Sequence, residues 1–255
     1  MRPAINKEHV KKRIIKKRAS LGTARIITVK NRGMAKHMTV RSTPPVAQTS
    51  APTLELASRI RPLLRKELPI RTEALARYLI GKTLVRDLPD GRMCGRIVET
   101  EAYPPGDAAA HHFRGETPSN RSLFLAHGQA YVYFTYGNHF MMNVSSDKPG
   151  IGGGVLLRAL EPLEGIALMR RRRGNVPLRD LARGPGRLAS AMRIDKRYDG
   201  VDLCTGGQLW LGDEPRPAGR VAISVRIGIT RDVHRRLRFY ERRNPFVSGP
   251  KRMNV

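Results

Sequence analysis

TLVRDLPDGRMCGRIVETEAY, residues 83–103, decides the fold. Thr83 to Leu88 and Met93 to Tyr103 are runs with the composition of strands, and Pro89-Asp90-Gly91 between them supplies a preset φ followed by a residue that accepts positive φ. The stretch therefore reads as an antiparallel hairpin. The same grammar recurs where Ala130 to Tyr136 and His139 to Ser145 flank Gly137-Asn138. Helical stretches intervene. Thr72 is placed to cap a helix through Lys82 that carries Leu75, Tyr78 and Leu79 and ends near Gly81. Pro162 is expected to open a helix ending in Arg170 to Arg173, and Gly184-Pro185-Gly186 to precede another reaching Ile194. Val155 to Leu160 reads as a buried strand, with further strands near Leu209 to Leu211 and Val221 to Ile229. Hairpins mixed with helices, rather than regular strand–helix alternation, point to α+β.

The composition narrows the partners. The 255 residues hold 48 Lys and Arg against 21 Asp and Glu, a formal net charge of +27, and the pI is about 11.3. Such a field attracts polyanions, and nucleic acid is the default. A membrane-surface protein would add a long amphipathic helix or a lipidation signal, and neither is clear here. No apolar run approaches the length of a bilayer span, and the N-terminus lacks a signal-peptide core. Cys94 and Cys204 are far apart and in no metal-ligand spacing, which suggests a reducing compartment without a disulfide framework. A soluble, intracellular protein with no membrane partner is expected.

Residues 1–52 differ in kind from the rest. Lys11-Lys12-Arg13 and Lys16-Lys17-Arg18 give way to a Thr/Pro/Ala/Ser stretch from Thr43 to Thr53, with Glu8 the sole acidic residue. The segment reads as a basic, disordered extension that adds non-specific affinity for nucleic acid. A targeting peptide, or a start codon placed too early with Met34 or Met38 as the true start, are equal alternatives. Residues 53–255 form the globular domain.

Chemistry is suggested first by Val98-Glu99-Thr100-Glu101-Ala102-Tyr103. Alternate strand residues share a face, so Glu101 and Tyr103 point into the same space, an acid–base group beside a flat apolar ring. A planar, stackable substrate such as a nucleobase fits that pairing. Glu99 could share the face, and two carboxylates could instead bind a metal or form a glycosidase pair, with His111 and His112 as nitrogen ligands. Adjacent strand residues face opposite ways, however, and no common ligand spacing occurs, so no metal is expected.

Tyr131 and Tyr133 face one way on their strand, while Tyr136 falls at the turn, where its ring would protrude. On a basic protein such a ring can wedge between base steps. Ordinary cross-strand packing of tyrosines is the alternative that the residues leave open. Asn143 lies on the return strand. Arg158 interrupts the apolar run Val155 to Leu160, where a guanidinium is costly unless it meets Glu101 or a phosphate. Arg170 to Arg173 and Arg235-Arg236 read as solvated faces that attract phosphates. The glycines from Gly150 to Gly154 match no phosphate loop, because no Gly-Lys-Ser/Thr follows.

Six ordered blocks now carry a resemblance: VETEAY (98–103), Asp107 to His111, YVYFTYGNHFMMNVSS (131–146), VLLRALEPLEG (155–165), GPGRLA (184–189) and RFYERRNPFVSG (238–249). Together they resemble the alkyladenine (3-methyladenine) DNA glycosylase family and span the chain from about Leu75 to Gly249. The resemblance implies a single mixed domain with a curved, largely antiparallel sheet, surrounding helices and a protruding β-hairpin. It implies that residues 53–255 flip alkylated or deaminated purines of the 3-methyladenine, 7-methylguanine and hypoxanthine class out of duplex DNA, and hydrolyse the N-glycosidic bond to leave an abasic site.

Under that resemblance Glu101 matches the general base that activates water. Tyr103 matches one stacking wall of the base pocket, and His111 and Tyr133 the opposite wall. Asn143 matches the residue that clashes with the exocyclic amine of normal guanine, Tyr136 the intercalating residue, and Arg158 a basic residue near the water and the target phosphates. Double-stranded DNA containing damaged purines would be the partner of a monomer that needs no cofactor, in the cytoplasm or nucleoid, or in the nucleus of a eukaryote. The loop at Pro104-Pro105-Gly106 is one residue shorter than the family pattern, and the loop between Asn143 and Arg158 is longer. Two other readings compete: a non-catalytic basic nucleic-acid-binding protein on the same scaffold, and a metal-dependent nuclease using Glu99, Glu101 and the histidines.

Overall fold

The computed structural model describes residues 59–250, so residues 1–52 and their competing readings lie outside the described residues. The first hairpin consists of β2 (Thr83–Leu88) and β3 (Gly91–Tyr103), paired antiparallel from Thr83↔Arg96 to Leu88↔Gly91. β3, at 13 residues, is more than twice the length of β2 and therefore needs a second neighbour. Past Arg96 that neighbour is β9 (Arg238–Glu241), with Glu99 opposite Tyr240 and Glu101 opposite Arg238. The other edge of β3 runs along β6 (Gly154–Glu164).

The remaining strands extend the sheet on both sides. They are β1 (Arg61–Pro62), β4 (Ala130–Thr135), β5 (His139–Ser145), β7 (Leu209–Asp213) and β8 (Val221–Ser224). Their order is β1-β7-β2-β3-β6-β5-β4, with β8 flanking β9, and every pairing is antiparallel. Three short helices, α1 (Thr72–Tyr78), α2 (Ile166–Arg173) and α3 (Pro185–Ala191), complete the α+β domain. Leu75 and Leu79, Ile97 of β3, Met142 of β5, Leu157 and Leu160 of β6 and Leu188 of α3 are fully buried in one core cluster. Each such side chain contributes roughly 1.5–3 kcal/mol by leaving water.

Several local expectations are corrected. Pro162 does not open a helix; it lies inside β6 opposite Gly95, beside a register shift at Cys94/Gly95 where a missing N–H is tolerated. The helix begins only after Gly165, at φ +71°, where a Cβ would lie 2.3 Å from the Arg92 carbonyl oxygen. Thr72 does not cap α1. Its hydroxyl donates to Asp147 Oδ2 at 2.5 Å and lies 2.7 Å from Ser146 Oγ, tying the helix start to the loop after β5. α1 itself stops at Tyr78 rather than Lys82. The strand expected to run from Val221 to Ile229 ends at Ser224, and the second hairpin turns through three residues, Tyr136 to Asn138, rather than two.

Candidate active site

The site begins as an irregularity between β3 and β6. Ile97 pairs with Leu160 and Glu99 with Ala159, but Thr100 pairs with Leu157, which leaves Val98 and Arg158 without opposite numbers. A bulge re-aims side chains, and this one brings Arg158 onto the face that carries both glutamates. Arg158 Nε donates to Glu99 Oε1 at 2.9 Å, Nη1 to Glu101 Oε2 at 3.2 Å, and Nη2 to Ser248 Oγ at 3.4 Å. Glu99 also accepts from Arg238 Nε at 2.7 Å and from the Ser248 backbone N–H at 2.6 Å.

Two carboxylates two residues apart thus live in different environments. Both are fully buried, which by itself pushes each pKa up. At Glu99 the two arginines, with the bonds from Arg238 and Ser248, outweigh burial and hold the carboxyl below its usual range. At Glu101 burial wins, and the nearby charge of Glu99 adds to it, against the opposing pull of Arg158, the Ile227 N–H and the Tyr103 hydroxyl. Glu101 is the better proton acceptor of the two.

Tyr103, Arg158 and Ile227, the three residues that donate to Glu101, all line one cavity of about 590 Å³. That size falls in the range of small-molecule sites, about 300–1,000 Å³. Tyr103 donates its hydroxyl to Glu101 Oε2 at 3.0 Å, and the Arg226 guanidinium covers its ring at 4.6 Å. Arg226 is itself held by Asp107 at 2.6 Å.

Across the cavity, β4 and β5 contribute a patch set by their register. Tyr131 lies opposite Asn143 and Tyr133 opposite Met141, so all four share one face. The rings of Tyr131 and Tyr133 stack with centroids 5.3 Å apart, and His111 meets Tyr133 edge-on at 4.4 Å. His111 Nδ1 is 2.9 Å from the Tyr131 hydroxyl, and its carbonyl accepts from Asn120. Desolvation among these rings, with His112 adjacent, pushes the His111 imidazole below its usual range, while burial pushes the Tyr133 phenol up to about 12. Tyr136 lines the rim from the hairpin tip, 74% exposed and at φ +52°.

The structure thus gathers Glu101, Tyr103, His111, Tyr133, Asn143, Tyr136 and Arg158 in or directly behind one cavity wall. His112 also lines the cavity but is buried, with Nε2 3.1 Å from the Pro104 carbonyl oxygen. Among the described residues no three His, Cys, Asp or Glu come together so as to hold a metal ion, and no helix is long and apolar enough to cross a membrane. Sequence reasoning gave no role to Arg238, Ser248 or Arg226, and considered Glu99 only as a metal ligand or as one of a glycosidase pair. The signal for Arg238 was an arginine between Leu237 and Phe239, the kind of placement that had marked Arg158.

The model of the methylpurine-DNA glycosylase family matches residues 67–245. A protein of Mesorhizobium japonicum named "Putative 3-methyladenine DNA glycosylase" is 64% identical over 190 residues, covering 74% of this chain and 91% of its own length. One of Paraburkholderia phytofirmans with the same name is 55% identical over 196 residues, covering 77% and 92%. A third, of Rubrobacter xylanophilus, is 46% identical over 153 residues, covering 60% and 80%. With a family match over most of the described residues and relatives this similar over nearly their full length, the chain belongs to the methylpurine-DNA glycosylase family.

Proposed function

We propose that this chain releases alkylated or deaminated purines of the 3-methyladenine, 7-methylguanine and hypoxanthine class from duplex DNA, acting as a monomer with Glu101 as general base. The observation that carries the reading is a buried carboxylate of raised pKa directly behind an aromatic-walled cavity. An ionised carboxylate offers about four acceptor sites. Tyr103 and Arg158 take two on Oε2, and the Ile227 N–H takes one on Oε1. In this reading the attacking water approaches Oε1, which accepts from the Ile227 N–H while Oε2 accepts from two donors.

A base inside a duplex hides its glycosidic carbon, so the nucleotide must be extruded at roughly a few kcal/mol, least for damaged bases. Tyr136 fills the gap. An alkylated purine is cationic, and a cation stacks well on the faces of Tyr103 and Tyr133, with His111 completing the wall. Asn143 meets the base edge and disfavours the exocyclic amine of normal guanine, whereas 7-methylguanine carries the same amine but is a cation with an already weakened glycosidic bond. Water then gives its proton to Glu101 Oε1 as its oxygen bonds to C1′. In an alkylated purine the C1′–N bond breaks, its electron pair leaves with the base and neutralises its positive charge, and an abasic site remains; hypoxanthine, neutral at the start, leaves as an anion and must take up a proton from solvent. Arg158 is committed to Glu99, Glu101 and Ser248, which favours a role in positioning base and water over a phosphate contact.

General-base help is worth about 10²–10⁴-fold. Glu101→Gln is therefore expected to slow single-turnover release from a duplex with one 7-methylguanine by at least about 10²-fold, with DNA affinity largely unchanged. Equal rates in variant and parent would overturn Glu101 as the general base, and rates in both no faster than spontaneous depurination would leave a non-catalytic nucleic-acid-binding protein as the better reading.

A further inference from the structure

Glu99 is the buried carboxylate nearest the proposed base in sequence, and this mechanism leaves it without a task. It is fully buried, two residues from the proposed base, and takes three donors: Arg158 Nε from β6, Arg238 Nε from β9 and the Ser248 N–H from the segment after β9. Arg158 is bound to Glu99 through Nε and reaches Glu101 with Nη1 alone. Arg238 is held on its far side by Ser224 Oγ at 3.0 Å and the Ser248 carbonyl at 3.1 Å, so the carboxylate between the two arginines has a fixed mount.

We propose that Glu99 is a positioning residue that holds Arg158 in place, so that one guanidinium nitrogen meets Glu101 Oε2, while its own negative charge offsets the arginine at Glu101. The inference rests on Glu101 being the general base. Without Glu99, the full charge of Arg158 would bear on Glu101 and make it a weaker base. With Glu99, Arg158 fixes the geometry of Glu101 and leaves it basic.

The charged and titratable groups facing this pair come from every element packed against it: Arg158 from β6, Arg238 from β9, Tyr103 of β3, and Arg226 behind the Tyr103 ring. The base works in its deprotonated form, so the acid limb of the pH–rate profile marks its ionisation. Removing a like charge beside it lowers that limb, and removing a positive charge raises it.

The test is single-turnover release of 7-methylguanine from duplex DNA across pH by the full chain and its variants. Glu99→Gln is expected to move the acid limb down by about one to two pH units and to lower the plateau about tenfold. Arg238→Gln is expected to move the limb up. Acid unfolding of a weakened variant raises the apparent limb, so each rate is divided by the folded fraction measured by circular dichroism at the same pH; the downward shift of Glu99→Gln runs opposite to that artefact. Limbs that stay in place, or that move the same way in both variants, would overturn the inference. If Glu101→Gln itself retained the parent rate, the general-base reading would fall instead, and the two failures are thus separable.

Discussion

Asp107 shows how a single residue can govern a cavity wall that it does not itself form. Its carboxylate is fully buried and accepts from Arg226, Arg235 and the Ala109 N–H, and Arg226 in turn covers the ring of Tyr103. Asp107→Ala would leave Arg226 buried beside an empty place, and breaking a buried pair from one side costs about 3–5 kcal/mol. The melting temperature should fall by about 10 °C, as read by calorimetry or circular dichroism. A change of only a degree or two would show that the pair does not hold the wall. Glu101 and Tyr103 were legible in the sequence because the two-residue period of a strand is enough to place them together. Glu99 was not, since its partners lie 139 and 149 residues onward and a bulge decides which way Arg158 points.

Elements were legible wherever a local signal governs. Pro89-Asp90-Gly91 and Gly137-Asn138 marked both hairpins, and the apolar run from Val155 marked β6. Prediction failed where tertiary contact overrode local preference. Pro162 is tolerated in β6 because a register shift receives it, and β9 is four residues long with two arginine-rich flanks, so nothing in its composition announced a strand. The β4–β5 hairpin also carries its own prediction. Thr135 and His139 close the ladder below the tip, and Tyr136 projects beyond it. Tyr136→Ala should leave the ladder intact while weakening capture of a lesion duplex by about 1–3 kcal/mol, the usual worth of one base–aromatic stack. Titration of a duplex with a fluorescent base beside the lesion measures it; unchanged affinity and unchanged unstacking would refute the wedge.

At the scale of the whole molecule, charge is the dominant fact. A protein of net charge +27 that follows a phosphate backbone should lose DNA affinity steeply with salt, with a slope in log–log form of about −0.9 for each phosphate neutralised. Fluorescence anisotropy on an undamaged duplex between 50 and 200 mM salt tests this, and a flat response would contradict the phosphate-contact account. The topology has a further consequence, one of timing. β3 leaves the ribosome well before β9, and the arginine and the backbone N–H that fix Glu99 follow it by 139 and 149 residues. Such long-range pairing is slow to form. A nascent chain stopped at β8 therefore holds both glutamates without the lock that distinguishes them, and the arrangement around Glu101 exists only once β9 and Ser248 have followed.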